Sequence, residues 1–120
     1  STNSKNIYLS LAKTLIEEIK KKHSSHDEYE ERLQSNLFPS DGGEPSWYEW
    51  KKLGYELVEN FDDREFSKAA FLIAIAVWND LHDNDEADKE DLVDIIDDIT
   101  FLDTDWASQL KEEWDLEDES

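Results

Sequence analysis

Ten consecutive residues, Ala69–Trp78, carry no charged or strongly polar side chain. They lie within FSKAAFLIAIAVWNDL, residues 66–81, a stretch rich in Ala, Leu and Ile. On a helical wheel this run is apolar on every side. A helix of that kind has to be surrounded by protein or by lipid. The run is too short for lipid, because a membrane span needs roughly 20 apolar residues. The pattern therefore predicts a buried helix over about 64–82, capped by Asp63, with the rest of the chain arranged around it.

The rest of the chain is strongly acidic. Among 120 residues, 32 are Asp or Glu and 12 are Lys or Arg, a net charge of −20. The charge is unevenly spread. Residues 1–60 carry 11 acids and 8 bases, a net of −3, whereas residues 61–120 carry 21 and 4, a net of −17. Such self-repulsion opposes compaction and keeps copies of the chain apart. It also repels nucleic acid and anionic membrane, so neither is an expected partner. It attracts cationic partners and speeds their approach.

The acid is offset by five Trp, five Phe and four Tyr, each of which brings a large apolar area. A chain of this length forms one domain, 1–120, able to bury a real core. Its periodicity is helical throughout. Ile7, Leu11, Leu15 and Ile19 repeat every four residues and predict a helix over about 6–23. Capping-box patterns at Ser25/Glu28 and Ser46/Glu49 predict helices over about 26–35 and 47–60. Between them, 36–45 holds both prolines and two of the three glycines, and reads as a loop. Gly54 costs its helix about 1 kcal/mol against Ala, so it is read as a point of close approach by a neighbour. Leu92, Ile95, Ile96 and Ile99 predict a helix over about 89–99. A last helix, capped by Thr104 or Asp105, carries Trp106, Leu110 and Trp114. No period-two alternation is present. The expected fold is an all-α compact bundle of five to six helices around the central hydrophobic one. Residues 1–5 are expected to fray, and 115–120 to form an acidic tail.

Several chemistries are disfavoured. There is no Cys, which removes disulfides, thiolate catalysis and Cys-based zinc sites. The stretch 83–94, DNDEADKEDLVD, places Asp83, Asp85 and Asp94 near positions 1, 3 and 12 of a calcium loop. But Ala87 and Asp88 stand where that loop needs a ligand and a sharp-turn Gly, and Asp94 replaces its bidentate Glu. The stretch reads instead as a solvated turn and a helix cap. His23 and His26 flank a break and His82 stands alone, so no metal site is expected. Nucleophile and phosphate-loop motifs are absent, and the acids mostly fall on polar faces where nothing desolvates them. No enzyme activity and no cofactor are expected. Residues 1–5 show no signal-peptide pattern, which suggests a cytoplasmic setting.

What remains is binding through charge. From Asp80 to Ser120 there are 18 acids against Lys89 and Lys111. A chain needing only solubility would intersperse the two signs. The expected contact face comprises Asp83, Asp85 and Glu86 in the turn, Asp91, Asp94 and Asp98 on the next helix, and Asp103, Asp105 and Trp106 beyond it. Trp106, flanked by acids at a helix start, is the expected exposed anchor. The partner implied is a basic protein.

A small, Cys-free, all-helical, strongly acidic chain with aromatics among its acids resembles two groups by overall character. One is the immunity proteins that neutralise bacterial nuclease toxins, such as those of contact-dependent growth inhibition systems and colicins. The other is the phage or plasmid nucleic-acid mimics that block restriction or CRISPR enzymes. The resemblance covers the whole chain without an alignable motif. It implies a non-enzymatic inhibitor that fills a cationic, phosphate-shaped cleft. Charge concentrated in one half beside Trp106 and Trp114 favours the immunity group. An acidic helical adaptor for a basic protein is the third possibility.

Overall fold

The apolar run forms the middle of a helix, Arg64–Asp83, one residue longer than its periodicity predicts. Asp63 caps it, its Oδ1 accepting the Phe66 N–H at 3.0 Å. The computed structural model describes residues 10, 11, 13–15, 17–19, 21, 22 and 45–116. The helices in the second of these blocks are labelled α1 (Trp47–Asn60), α2 (Arg64–Asp83), α3 (Lys89–Ile99) and α4 (Thr104–Glu113). The described positions from 10 to 22 are also helical. No strand occurs among the described residues, and the fold is an all-α bundle. The predicted helix over 26–35, most of the predicted loop, the ends 1–5 and 117–120, and His23 and His26 lie outside the described residues.

Capping chemistry sets the boundaries. Ser46 and Glu49 form the expected capping box at α1, with the Ser46 N–H donating to Glu49 Oε1 at 2.8 Å. Asp88 and Asp91 form a second box at α3. The cap of α4 is Asp103, not Thr104 or Asp105. Asp103 has the extended backbone a cap requires, and its Oδ1 accepts the Trp106 N–H at 3.1 Å. Asp115 and Leu116, expected in the acidic tail, are part of the fold. Asp115 takes a left-handed conformation, φ 57°, and the Leu116 N–H donates to the Lys111 carbonyl at 2.8 Å. This αL turn folds Leu116 back against the core.

The core forms where α1 and α2 fold back on each other across residues 61–63. Trp50, Leu53 and Leu57 of α1 meet Ala70, Phe71, Ala74 and Trp78 of α2, all fully buried. Gly54 and Ser67 let the two backbones approach, and the buried Ser67 hydroxyl donates to the Gly54 carbonyl at 2.6 Å. Leu92, Ile95, Ile96 and Ile99 of α3 close the far side, joined by Ala107 and Leu110 of α4. Leu15 and Ile19 enter from the N-terminal segment. That segment is pinned by Lys22, whose ammonium sits 3.2 Å from Asp63 and over the Phe66 ring.

The central helix is not enclosed on every side. Lys68, Leu72 and Ala76 form an exposed stripe along it, and Leu72 is 50% exposed. An apolar run cannot reveal which of its sides lacks a neighbour, and an isolated exposed Leu or Ala is a small cost. Among the described residues, no helix is long and apolar enough to cross a membrane.

Candidate protein-binding surface

α3 organises the acidic surface. Its apolar stripe, Leu92, Ile95, Ile96 and Ile99, is fully buried, so the intervening acids must point away from the core. Glu90, Asp94 and Asp97 are exposed on its outer side, and Asp91 and Asp98 are half-buried on one flank. The turn of Asp83, Asp85 and Glu86 lies before the N-terminal end of α3, and Asp103 and Asp105 lie after its C-terminal end. An 11-residue helix is about 16 Å long. The expected contact residues are therefore strung out along α3 rather than gathered at one point.

Several of those acids serve the fold. Asp91 and Asp103 are capping residues. Asp85 has φ 60° and occupies the left-handed position that ends α2, and the N–H groups of Asp85 and Glu86 donate to the His82 and Leu81 carbonyls. Asp tolerates that conformation better than most residues other than Gly. Asp98 faces a neighbouring helix, with Oδ2 3.6 Å from Lys51 Nζ of α1. Burial raises its pKa, and Asp97 and Asp94 add to the shift. The Lys51 cation opposes it but does not cancel it. Asp83, Glu86, Asp94 and Asp105 are exposed, cap no helix, and pair with no cation among the described residues.

The tryptophans are packing residues. Trp50 and Trp78 are fully buried. The Trp78 indole N–H donates to the Asp88 carbonyl at 2.8 Å, and its ring meets His82 and Trp114 at 4.7 and 5.2 Å. Trp106, the expected exposed anchor, is half-buried against the core, with the Lys68 ammonium 5.1 Å from its ring centre. The turn that leads into α4 bonds to α2, since the Arg64 guanidinium donates to the Leu102 carbonyl.

The exposed aromatics lie elsewhere. Phe101, in the turn after α3, is 60% exposed, and Tyr48 on α1 is 46% exposed. Phe101 stands edge-on to Tyr55 of α1, ring centres 5.5 Å apart. Tyr55 feels the carboxylates of Glu59, Asp98 and Glu56; Glu59 contributes most to the raised pKa of its hydroxyl. Lys51 links this pair to Tyr48, standing beside Asp98 and 5.1 Å from the Tyr48 ring centre. Tyr48, Lys51, Tyr55, Asp98 and Phe101 thus form a continuous seam between α1 and the C-terminal end of α3.

The sequence held two signals for this seam. Tyr48 and Tyr55 are seven residues apart, on the side of α1 opposite Trp50, Leu53 and Leu57. Phe101 falls outside the apolar repeat of α3. Among the described residues, no three His, Asp or Glu side chains converge in an arrangement that could hold a metal ion. Comparison with known proteins gives no match to any family model, curated protein or solved structure.

Proposed function

We propose that this protein is a non-enzymatic acidic inhibitor that binds and neutralises a cationic nuclease toxin, an immunity protein of the contact-dependent growth inhibition or colicin kind. The observation that carries this reading is the set of exposed carboxylates along α3 and its flanking turns that pair with no cation among the described residues, within a half-chain of net charge −17. A nuclease presents a cleft of positive charge shaped for phosphates. A surface of opposite sign steers itself onto such a cleft and excludes the substrate. The inhibitor needs no catalytic group and no cofactor, and it acts in the compartment its toxin enters, the cytoplasm.

A nucleic-acid mimic that blocks a restriction or CRISPR enzyme is the second reading. It is favoured by one observation, the row of Glu90, Asp94 and Asp97 on the outer side of α3. Neighbouring acids of such a row lie about 5–6 Å apart. The exposed aromatics Phe101 and Tyr48 weigh against it, because a phosphate mimic gains nothing from them, whereas protein interfaces are enriched in aromatic residues.

Affinity capture from the native host, with bound proteins identified by mass spectrometry, tests both. The expected catch is a basic nuclease domain whose cleavage activity this protein abolishes at equimolar ratio. A restriction or CRISPR enzyme would move the assignment to the mimic. A basic structural protein, captured without loss of any activity, would make this chain an adaptor.

A further inference from the structure

The chain repeatedly places one of its own ammonium groups over an aromatic ring. Lys22 lies between Asp63 and the Phe66 ring, at 3.2 and 5.1 Å. Lys51 lies between Asp98 and the Tyr48 ring, at 3.6 and 5.1 Å. Lys68 lies over Trp106 at 5.1 Å. At two of these places a carboxylate and a π-face hold the cation jointly. Both attractions act on the same charge, and both strengthen as water is removed.

The Tyr55–Phe101 pair offers the same elements with no cation over either ring among the described residues. Phe101 presents most of its surface to solvent, and its ring is held edge-on by Tyr55. Glu59, Asp98 and Glu56 surround Tyr55, and Asp94 and Asp97 lie close to Asp98. Among the described residues, no ammonium or guanidinium stands over Phe101.

We infer that Phe101 and Tyr55, with Glu59 beside Tyr55 and with Asp94 and Asp97 beside Asp98, are the seat for an arginine side chain projecting from the basic protein partner. This rests on the partner proposed above being a cationic protein. Arginine fits better than lysine because its guanidinium is flat. It can stack on the open ring while its N–H fork reaches a carboxylate at the edge, and it is more weakly hydrated than an ammonium. A second copy of this chain is a poor occupant, since it would bring −20 against −20. Nucleic acid is repelled for the same reason.

The test uses deca-arginine and deca-lysine as probes, titrated into the isotope-labelled full chain at near-physiological salt and followed by NMR. Deca-arginine should bind the more tightly and shift the amides of Tyr55, Asp98 and Phe101 most. Phe101→Leu keeps the apolar bulk and removes the π-face. It should weaken deca-arginine about threefold and leave deca-lysine unchanged. Phe101→Tyr should bind as the wild type does, and Leu72→Ala, a change at another exposed apolar site, should have no effect. Binding of both peptides with equal strength, with shifts spread over the turn 83–86 and no effect of Phe101→Leu, would overturn the seat while leaving the proposed function standing. If neither peptide bound even at low salt, the cationic-partner reading itself would fail. Concentration-dependent self-association removed by Phe101→Leu would overturn the inference in favour of a second copy.

Discussion

Gly54 and Phe71 meet so closely that a Cβ on Gly54 would stand 2.9 Å from Cε2 and Cζ of the ring. Phe71 is fully buried, so the ring cannot swing aside into solvent. Gly54→Ala would gain about 1 kcal/mol of helix propensity. Overpacking a closed site costs about 1–3 kcal/mol, and here the ring, the Ser67 hydroxyl bond and the α1–α2 spacing would all be strained together. We expect Gly54→Ala to lower unfolding free energy in urea by about 1 kcal/mol net. Combining it with Phe71→Leu should cost less than the sum of the two single changes, because the smaller side chain vacates the contact. An additive result, or a stabilised Gly54→Ala, would show that the contact is not tight.

Trp78 joins three parts of the fold, stacking on His82, meeting Trp114 edge-on and donating to the Asp88 carbonyl that opens α3. Phenylalanine at this position keeps an aromatic ring but removes the indole N–H. The Asp88 carbonyl then loses its partner at the end of the turn. Trp78→Phe should lower stability by about 1–3 kcal/mol and reduce the near-ultraviolet circular dichroism more than the far-ultraviolet signal. Unchanged stability would mean that water replaces the bond without loss.

Asp98 makes stability depend on pH. Burial raises its pKa above the ordinary 3.8, assisted by Asp97 and Asp94 and opposed by Lys51. In the range just above 3.8, the folded protein holds a proton that the unfolded chain has released. Stability from this group is therefore full below that range and is lost as pH rises through the folded value. Melting temperature should fall as pH is raised from that range towards neutral. Asp98→Asn should flatten the dependence without abolishing the Lys51 contact, since the amide oxygen can still accept a hydrogen bond. An identical pH slope in wild type and Asp98→Asn would assign the effect to the other acids.

Helix existence was legible because each helix combines an apolar repeat with a recognisable cap. Trp47–Asn60 and Lys89–Ile99 fall where the pattern puts them. The start of α4 was ambiguous because Asp103, Thr104 and Asp105 are all competent caps, and only backbone geometry chooses among them. The surface was harder to read. In so acidic a chain, an Asp that caps a helix, an Asp in a left-handed turn and an Asp free for a partner look alike. Asp91, Asp85 and Asp94 are one example of each. Trp106 and Phe101 show the matching difficulty for aromatics. Trp106 belongs to an apolar repeat and packs, whereas Phe101 belongs to none and stays exposed, and flanking acids do not distinguish them.

Left-handed backbone at Asp62, Asp85 and Asp115 gives a direct test of what those acids do. Glycine adopts that conformation without penalty, and a β-branched side chain adopts it poorly. Asp85→Gly should leave thermal stability within about 1 kcal/mol of wild type, with any gain aided by removing a negative charge. Asp85→Val removes the same charge and should lower stability by about 1–2 kcal/mol. If both variants behaved alike, the charge of Asp85, not its backbone, would be what matters.

Asp94 and Asp97 are exposed, cap nothing and pair with no cation among the described residues. Asp94 also stands four residues from both Glu90 and Asp98. Like charges at that spacing destabilise a helix by about 0.2–0.5 kcal/mol per pair. Replacing Asp94 and Asp97 by Asn should therefore raise stability by about 0.5–1 kcal/mol at low salt. The gain should shrink as salt screens the repulsion in the wild type. The same double variant should associate more slowly with a cationic partner, and its on-rate should fall less steeply with salt. Improved stability with slower association would mark these acids as retained for binding at a cost to the fold. Improved stability with unchanged association would place the contact elsewhere on the acidic half. Unchanged stability would mean that the helix tolerates the repulsion by exposing both carboxylates fully to water.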